Sequence, residues 1–105
     1  MSELEKIVFQ LITLSGSARS SAFGALEHAK KFDFDEAEEQ LKRAREEIVE
    51  AHNIQTDLIQ KESKGDNTDV NLLMVHAQDH LMTAMLAKDL IEQMVQMQKA
   101  LSDKL

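Results

Sequence analysis

The stretch Val75-His76-Ala77-Gln78-Asp79-His80-Leu81-Met82 holds two of the chain's four histidines together with an aspartate. On a helix, His76 and His80 stand at i, i+4 and so share one face. A neutral imidazole is a competent nucleophile toward phosphorus and, once phosphorylated, a good leaving group near neutral pH, which gives His76 the chemistry of a phosphoryl relay. Its position admits two other readings. A histidine in an apolar stripe can be a hydrogen-bonded core residue, and a histidine pair at this spacing presents two zinc ligands on one face. The zinc reading has no HExxH glutamate to support it.

Asp79 falls in line with Leu72, Leu86 and Leu90, and with His76 and Thr83 beside them. An unpaired carboxylate buried in such a stripe costs several kcal/mol or is driven to its neutral form, so it must be protonated, paired or bound to a cation. Packing of this stripe about a rotation axis brings copies of Asp79 together, and oxygen-only ligands suit a hard ion such as Mg²⁺. Asp79 is therefore the candidate ligand of a metal at an oligomer axis. His52 reads as a boundary polar residue, and His28 as a solvated neighbour of Lys30 and Lys31. Met74, Met82, Met85, Met94 and Met97 follow the helical period and read as core filler.

These residues must be positioned by helices. Proline is absent and only three glycines occur in 105 residues, so little interrupts helical structure. Apolar residues recur at i, i+3, i+4 in three segments, predicting helices at about 3–31, 34–64 and 68–103. In the first, Leu4, Ile7, Val8, Leu11 and Ile12 lead into a Ser- and Gly-rich middle, Thr13 to Gly24, where a kink or a close backbone approach is expected. Asp33, with Glu36 three residues on, reads as the cap of the second helix, whose apolar line runs from Phe34 and Ala37 to Leu58 and Ile59. Gly65 reads as its stop, followed by the linker Gly65-Asp66-Asn67 and by Thr68 as cap of the third. Helices of roughly 30 residues are about 45 Å long, and short connections make the fold all-α, an up-down-up antiparallel three-helix bundle with a thin core. The third helix is apolar over more of its surface than two neighbours can cover, which predicts self-association.

The formal net charge is −7, and residues 32–66 hold eleven acidic against five basic side chains, so the second helix is an acidic outer wall. That field repels phosphodiester backbones and favours partners with a basic face. With no Trp or Tyr, base stacking would rest on four phenylalanines outside any basic groove, which argues against nucleic-acid readout. Absence of cysteine excludes disulfides, thiolate metal sites and a cysteine nucleophile. No window approaches the roughly 20 apolar residues of a membrane span, and the expected setting is the cytoplasm.

With Ser15-Gly16-Ser17-Ala18-Arg19-Ser20 in the first helix, Ala51-His52 with Gln55 in the second and His76-Ala77-Gln78-Asp79-His80-Leu81-Met82 in the third, the chain resembles a known family over nearly its whole length. This is the IIA subunit family of the lactose/cellobiose/chitobiose-type phosphoenolpyruvate:sugar phosphotransferase systems of bacteria. The third motif is specific and the first two are supporting. The resemblance implies a homotrimer in which His76 accepts a phosphoryl group from the phosphohistidine of HPr and passes it to a cysteine of the IIB subunit. It implies that Asp79 coordinates one divalent ion per trimer on the threefold axis, and that Gln78 and His80 lie close to the active imidazole, contacting the phosphoryl oxygens. Phe32 departs from the pattern, since many members carry glycine before the Asp-Phe pair. A IIA subunit does not touch the sugar, so its substrate reads only as a β-linked disaccharide of the lactose, cellobiose or chitobiose class. The sequence does not assign Arg19 to the phosphoryl group, and no cluster of arginines flanks His76. The residues alone also fit a non-enzymatic helical interaction module with a structural or zinc-binding His76/His80 pair. They fit a histidine-phosphotransfer domain of two-component signalling as well, although those are usually four-helix bundles.

Overall fold

The computed structural model describes residues 1–65 and 70–105, which form α1 (Glu3–Lys30), α2 (Phe34–Ser63) and α3 (Leu72–Ser102) and no strand. Helix α1 opens on a capping box: the Ser2 hydroxyl accepts from the Glu5 amide while the Glu5 carboxylate turns back to the Ser2 amide. It runs unbroken through the Ser/Gly-rich middle. A Cβ built on Gly16 would meet nothing within 4 Å and one on Gly24 only Gln40 at 3.7 Å, so the close approach expected there is not made at the glycines. Small residues face inward at this level instead, with Ser15 and Ala18 wholly buried.

The turn into α2 is a left-handed helix stop. Phe32 has φ 64, the Phe32 amide donates to the Ala29 carbonyl, and the Asp33 amide reaches back to the His28 carbonyl at 2.9 Å. Asp33 does occupy the N-cap position, but its side chain makes no capping bond; the carboxylate lies 3.4 Å from His28 Nδ1. The capping box expected at Asp33 is therefore absent because a histidine across the turn engages the acid, and His28 is this partner as well as a neighbour of the lysines. Gly65, at φ 86, follows the end of α2 as expected. The cap expected at Thr68 lies outside the described residues. Helix α3 begins at Leu72, where Asn71 Oδ1 accepts from the Met74 amide at 2.9 Å.

Two clusters define the packing. Val8 and Leu11 meet Ala51, Leu58, Met74 and Leu81 at one end, and Ala22 and Ala29 meet Ala37, Leu41, Ile91 and Val95 at the other. Rising numbers in α1 thus oppose falling numbers in α2 and rising numbers in α3, which is the up-down-up order. The bundle is a rod of 57 × 24 × 19 Å. Its interior is built largely of alanine, and Leu11 and Leu81 are the largest side chains wholly withdrawn from water. Arg45 of α2, bonded to Glu38 and to Glu92, ties α2 to α3, and the same Glu92 lies 3.8 Å from Lys88.

The excess apolar surface of α3 is real. Leu72, Leu86 and Leu90 are 84%, 59% and 50% exposed, whereas Ala77, Ala84 and Ile91 on the adjacent stripe are buried. Of the methionines expected to fill the core, Met74 does so, but Met82, Met94 and Met97 face outward, because they fall on or beside the leucine stripe. Ile59 likewise lies outside the core of α2.

Candidate functional site

One face of α3 near its first turns collects the candidate residues. His76 is exposed, beside a shallow apolar hollow it lines with Leu72 and Leu73. One turn on, His80 is half-buried and meets it at 3.1 Å between the two Nε2 atoms. The rings are almost perpendicular, with centroids 4.4 Å apart. A nitrogen pair at this distance is a hydrogen bond in which one imidazole donates and the other accepts. Burial pushes the His80 pKa below its ordinary value, the charges of His76 and Arg19 act in the same direction, and Asp79 opposes them. His80 Nδ1 is enclosed without a hydrogen-bond partner.

Asp79 is exposed on the single chain, in the leucine stripe, so the burial foreseen for it does not arise within one copy. Among the described residues no three His, Asp or Glu side chains of one chain converge as a metal site. A cation at Asp79 therefore needs acids from other copies, and a zinc on His76 and His80 would lack a third ligand from this chain. The Thr83 hydroxyl, which shares the stripe, donates to the Asp79 carbonyl at 2.8 Å. His52, read as a boundary polar residue, is exposed on α2.

The family model described as "PTS system, Lactose/Cellobiose specific IIA subunit" matches residues 6–99. The chain belongs to this family. It is similar to the lichenan-specific phosphotransferase enzyme IIA component of Bacillus subtilis, with 45% identity over 97% of this chain and 93% of the relative. It is 44% identical to the N,N'-diacetylchitobiose-specific EIIA component of Escherichia coli, over 94% of this chain and 85% of the relative. Among solved structures, the cellobiose-specific enzyme IIA of Bacillus anthracis matches with a TM-score of 0.96 at 46% identity, covering 100% of this chain and 96% of that one. A chain of the IIA(chitobiose)–HPr complex of E. coli matches with a TM-score of 0.84 at 42% identity, covering 97% and 99%.

In this IIA chain the predicted site residues separate into two groups. His76, Asp79 and His80 share the outward face of α3. Gln78 does not, because two residues on from His76 it points about 200° around the helix, toward α2. There its carbonyl oxygen accepts from Gln55 Nε2, and its own Nε2 lies 3.5 Å from the Met74 sulfur. Gln55 and Gln78 also wall a cleft of about 280 Å³ with Leu58, Ile59, Met74 and Val75. The inter-helix amide pair could not be read from spacing within one helix. Arg19 is a second such residue: its charge reaches His80 from α1, a relation that depends on how far the two helices are offset. Among the described residues, no helix of this IIA chain is long and apolar enough to cross a membrane.

Proposed function

We propose that the chain is the phosphoryl carrier of a bacterial phosphoenolpyruvate-dependent sugar phosphotransferase system that takes up a β-linked disaccharide of the lactose, cellobiose or chitobiose class. His76 accepts the phosphoryl group from phospho-HPr and transfers it to the cysteine of the IIB subunit. The observation that carries this reading is the exposed His76 imidazole, its Nε2 opposed by His80 Nε2, on the fold of the IIA family. A solved complex between a similar IIA chain and HPr supports the donor. A relay fed by phosphoenolpyruvate works in the cytoplasm.

The hydrogen-bond geometry supports a definite attacking atom. His80 Nδ1 is enclosed without an acceptor, and a buried N–H without a partner is costlier than a buried lone pair. The His80 proton therefore belongs on Nε2, where His76 Nε2 accepts it. His76 then carries its own proton on Nδ1 and keeps a lone pair on Nε2. That lone pair attacks the phosphorus of phospho-HPr; the new N–P bond forms as the old one breaks, and the bonding pair returns to the donor imidazole. No proton need move. The His80 N–H, released from His76, is then free to donate to a phosphoryl oxygen. In the second transfer a cysteine thiolate of IIB attacks the phosphorus and the N–P pair returns to His76 Nε2. Transfer between two positioned nucleophiles draws mainly on alignment and charge stabilisation.

The exposed leucine stripe supports a homotrimer packed about that face, with HPr and IIB docking beside it. Three Asp79 carboxylates would then hold one divalent cation, Mg²⁺ by the hardness of its ligands, which neutralises their mutual repulsion. Incubation with enzyme I, HPr and phosphoenolpyruvate, followed by mass measurement, tests the relay. One acid-labile phosphoryl group per chain is expected, with none on His76→Gln. Labelling that survives in this variant assigns the acceptor elsewhere.

A further inference from the structure

Arg19 is a half-buried cation on α1 that, among the described residues, makes no ion pair and no side-chain hydrogen bond. Other cations without an ion pair, such as Lys42, Arg43 and Lys99, are exposed, whereas Arg19 is half-buried. The arginine and lysine between α2 and α3, by contrast, are both engaged: Arg45 by Glu38 and Glu92, Lys88 by Asp89 and Glu92. A half-buried guanidinium left without an anion is a site waiting for one.

Two features of the packing aim it at the histidines. Ile12, Arg19 and Leu26 recur every seven residues on one stripe of α1, and Leu26 shares a groove with Met94, Met97 and Leu101 of α3. This stripe therefore flanks the outward face of α3, the face that carries His76 and His80. Along the rod, Leu11 belongs to the cluster of Met74, Ala77 and Leu81 and Ala22 to that of Ile91 and Val95, so the Arg19 backbone sits between the two clusters, beyond His80. Helical side chains lean toward the N-terminus, and α1 and α3 run in parallel, so the long arginine leans back toward His80 and the relay face. The influence of its charge on His80 agrees with that placement.

We propose that the Arg19 guanidinium binds the phosphoryl group while His76 carries it, pairing with phosphoryl oxygens on the side away from HPr and IIB. The inference rests on the relay assigned to His76. Guanidinium geometry matches phosphate oxygens in pairs, and a single arginine, unlike a cluster, leaves the group free to depart.

Single-turnover transfer from phospho-HPr to the wild-type chain, Arg19→Gln and Arg19→Lys tests it, with His76→Gln as reference. Loss of a charge-assisted hydrogen bond predicts a roughly ten- to hundredfold slower transfer and a lower equilibrium phosphoryl occupancy for Arg19→Gln. Arg19→Lys should recover part of the loss, because charge returns without the fork. In the wild-type chain the guanidinium Nε resonance of Arg19 should shift on phosphorylation, which can be read even if a variant folds poorly. Wild-type rate and occupancy in Arg19→Gln, or an Arg19 resonance unmoved by phosphorylation, overturns the proposal. If the wild-type chain takes no label, or His76→Gln is still labelled, the relay reading itself has failed.

Discussion

Replacing Leu86 by alanine distinguishes an apolar face that serves one chain from a face that copies share. Leu86 is 59% exposed in the single chain, and alanine is at least as good a helix former as leucine, so the isolated bundle should lose almost nothing. If the leucine stripe packs against two other copies, the remaining exposed share becomes buried. Full burial of a leucine is worth about 1.5–3 kcal/mol, and 59% of that is about 1–2 kcal/mol per chain. Three chains then lose roughly 3–5 kcal/mol, which weakens trimer association by about two to four orders of magnitude. Sedimentation equilibrium over a wide concentration range reads this directly. Leu81→Ala is the control for damage within a chain: Leu81 is fully buried in the cluster with Val8, Leu11, Leu58 and Met74, so about 2–5 kcal/mol should be lost whatever the assembly state. An association constant unchanged by Leu86→Ala would refute packing of copies on this stripe.

If copies assemble about the leucine stripe as proposed, Asp79→Leu should leave that trimer intact while abolishing the divalent ion proposed for it, since an apolar side chain removes three facing charges; sedimentation and metal analysis check both halves, and dissociation of this variant would show that the ion holds the chains together. At the α1–α2 turn, Phe32→Gly should be more stable than Phe32→Ala by about 1 kcal/mol, because both lose the aromatic ring and only alanine keeps a Cβ at φ 64. Denaturant titration measures the difference, and equal stability would show that the left-handed turn carries no strain.

The three helices were legible because their period is local: the predicted spans 3–31 and 34–64 differ by one residue at one end from Glu3–Lys30 and Phe34–Ser63. Their caps were less so. Asp33 and Glu36 have the spacing of a capping box, but His28 engages the acid across a turn that no helix-internal rule describes. Ser2 and Glu5, at the same spacing, do make a capping box. At α3, Asn71 holds the first turn in place of a start near residue 68. Within the site, His76 and His80 were legible as a pair because four residues on a helix bring two rings together whatever else packs nearby. Gln78, which the resemblance put close to the active imidazole, is turned within one chain toward Gln55, because two residues on a helix point to different faces. In the Ser/Gly-rich middle of α1 the inward-facing small residues are Ser15 and Ala18, and the glycines make no close approach.

An interior lined by Ala22, Ala25, Ala44, Ala77 and Ala84 leaves the helices nothing to slide against and nowhere to collapse. In the proposed relay two partners of different shape dock in turn on the His76 face, so adjustment to each would fall to rotamers at its surface. The flexible methionines Met82, Met94 and Met97 are on the outside, where such give is required.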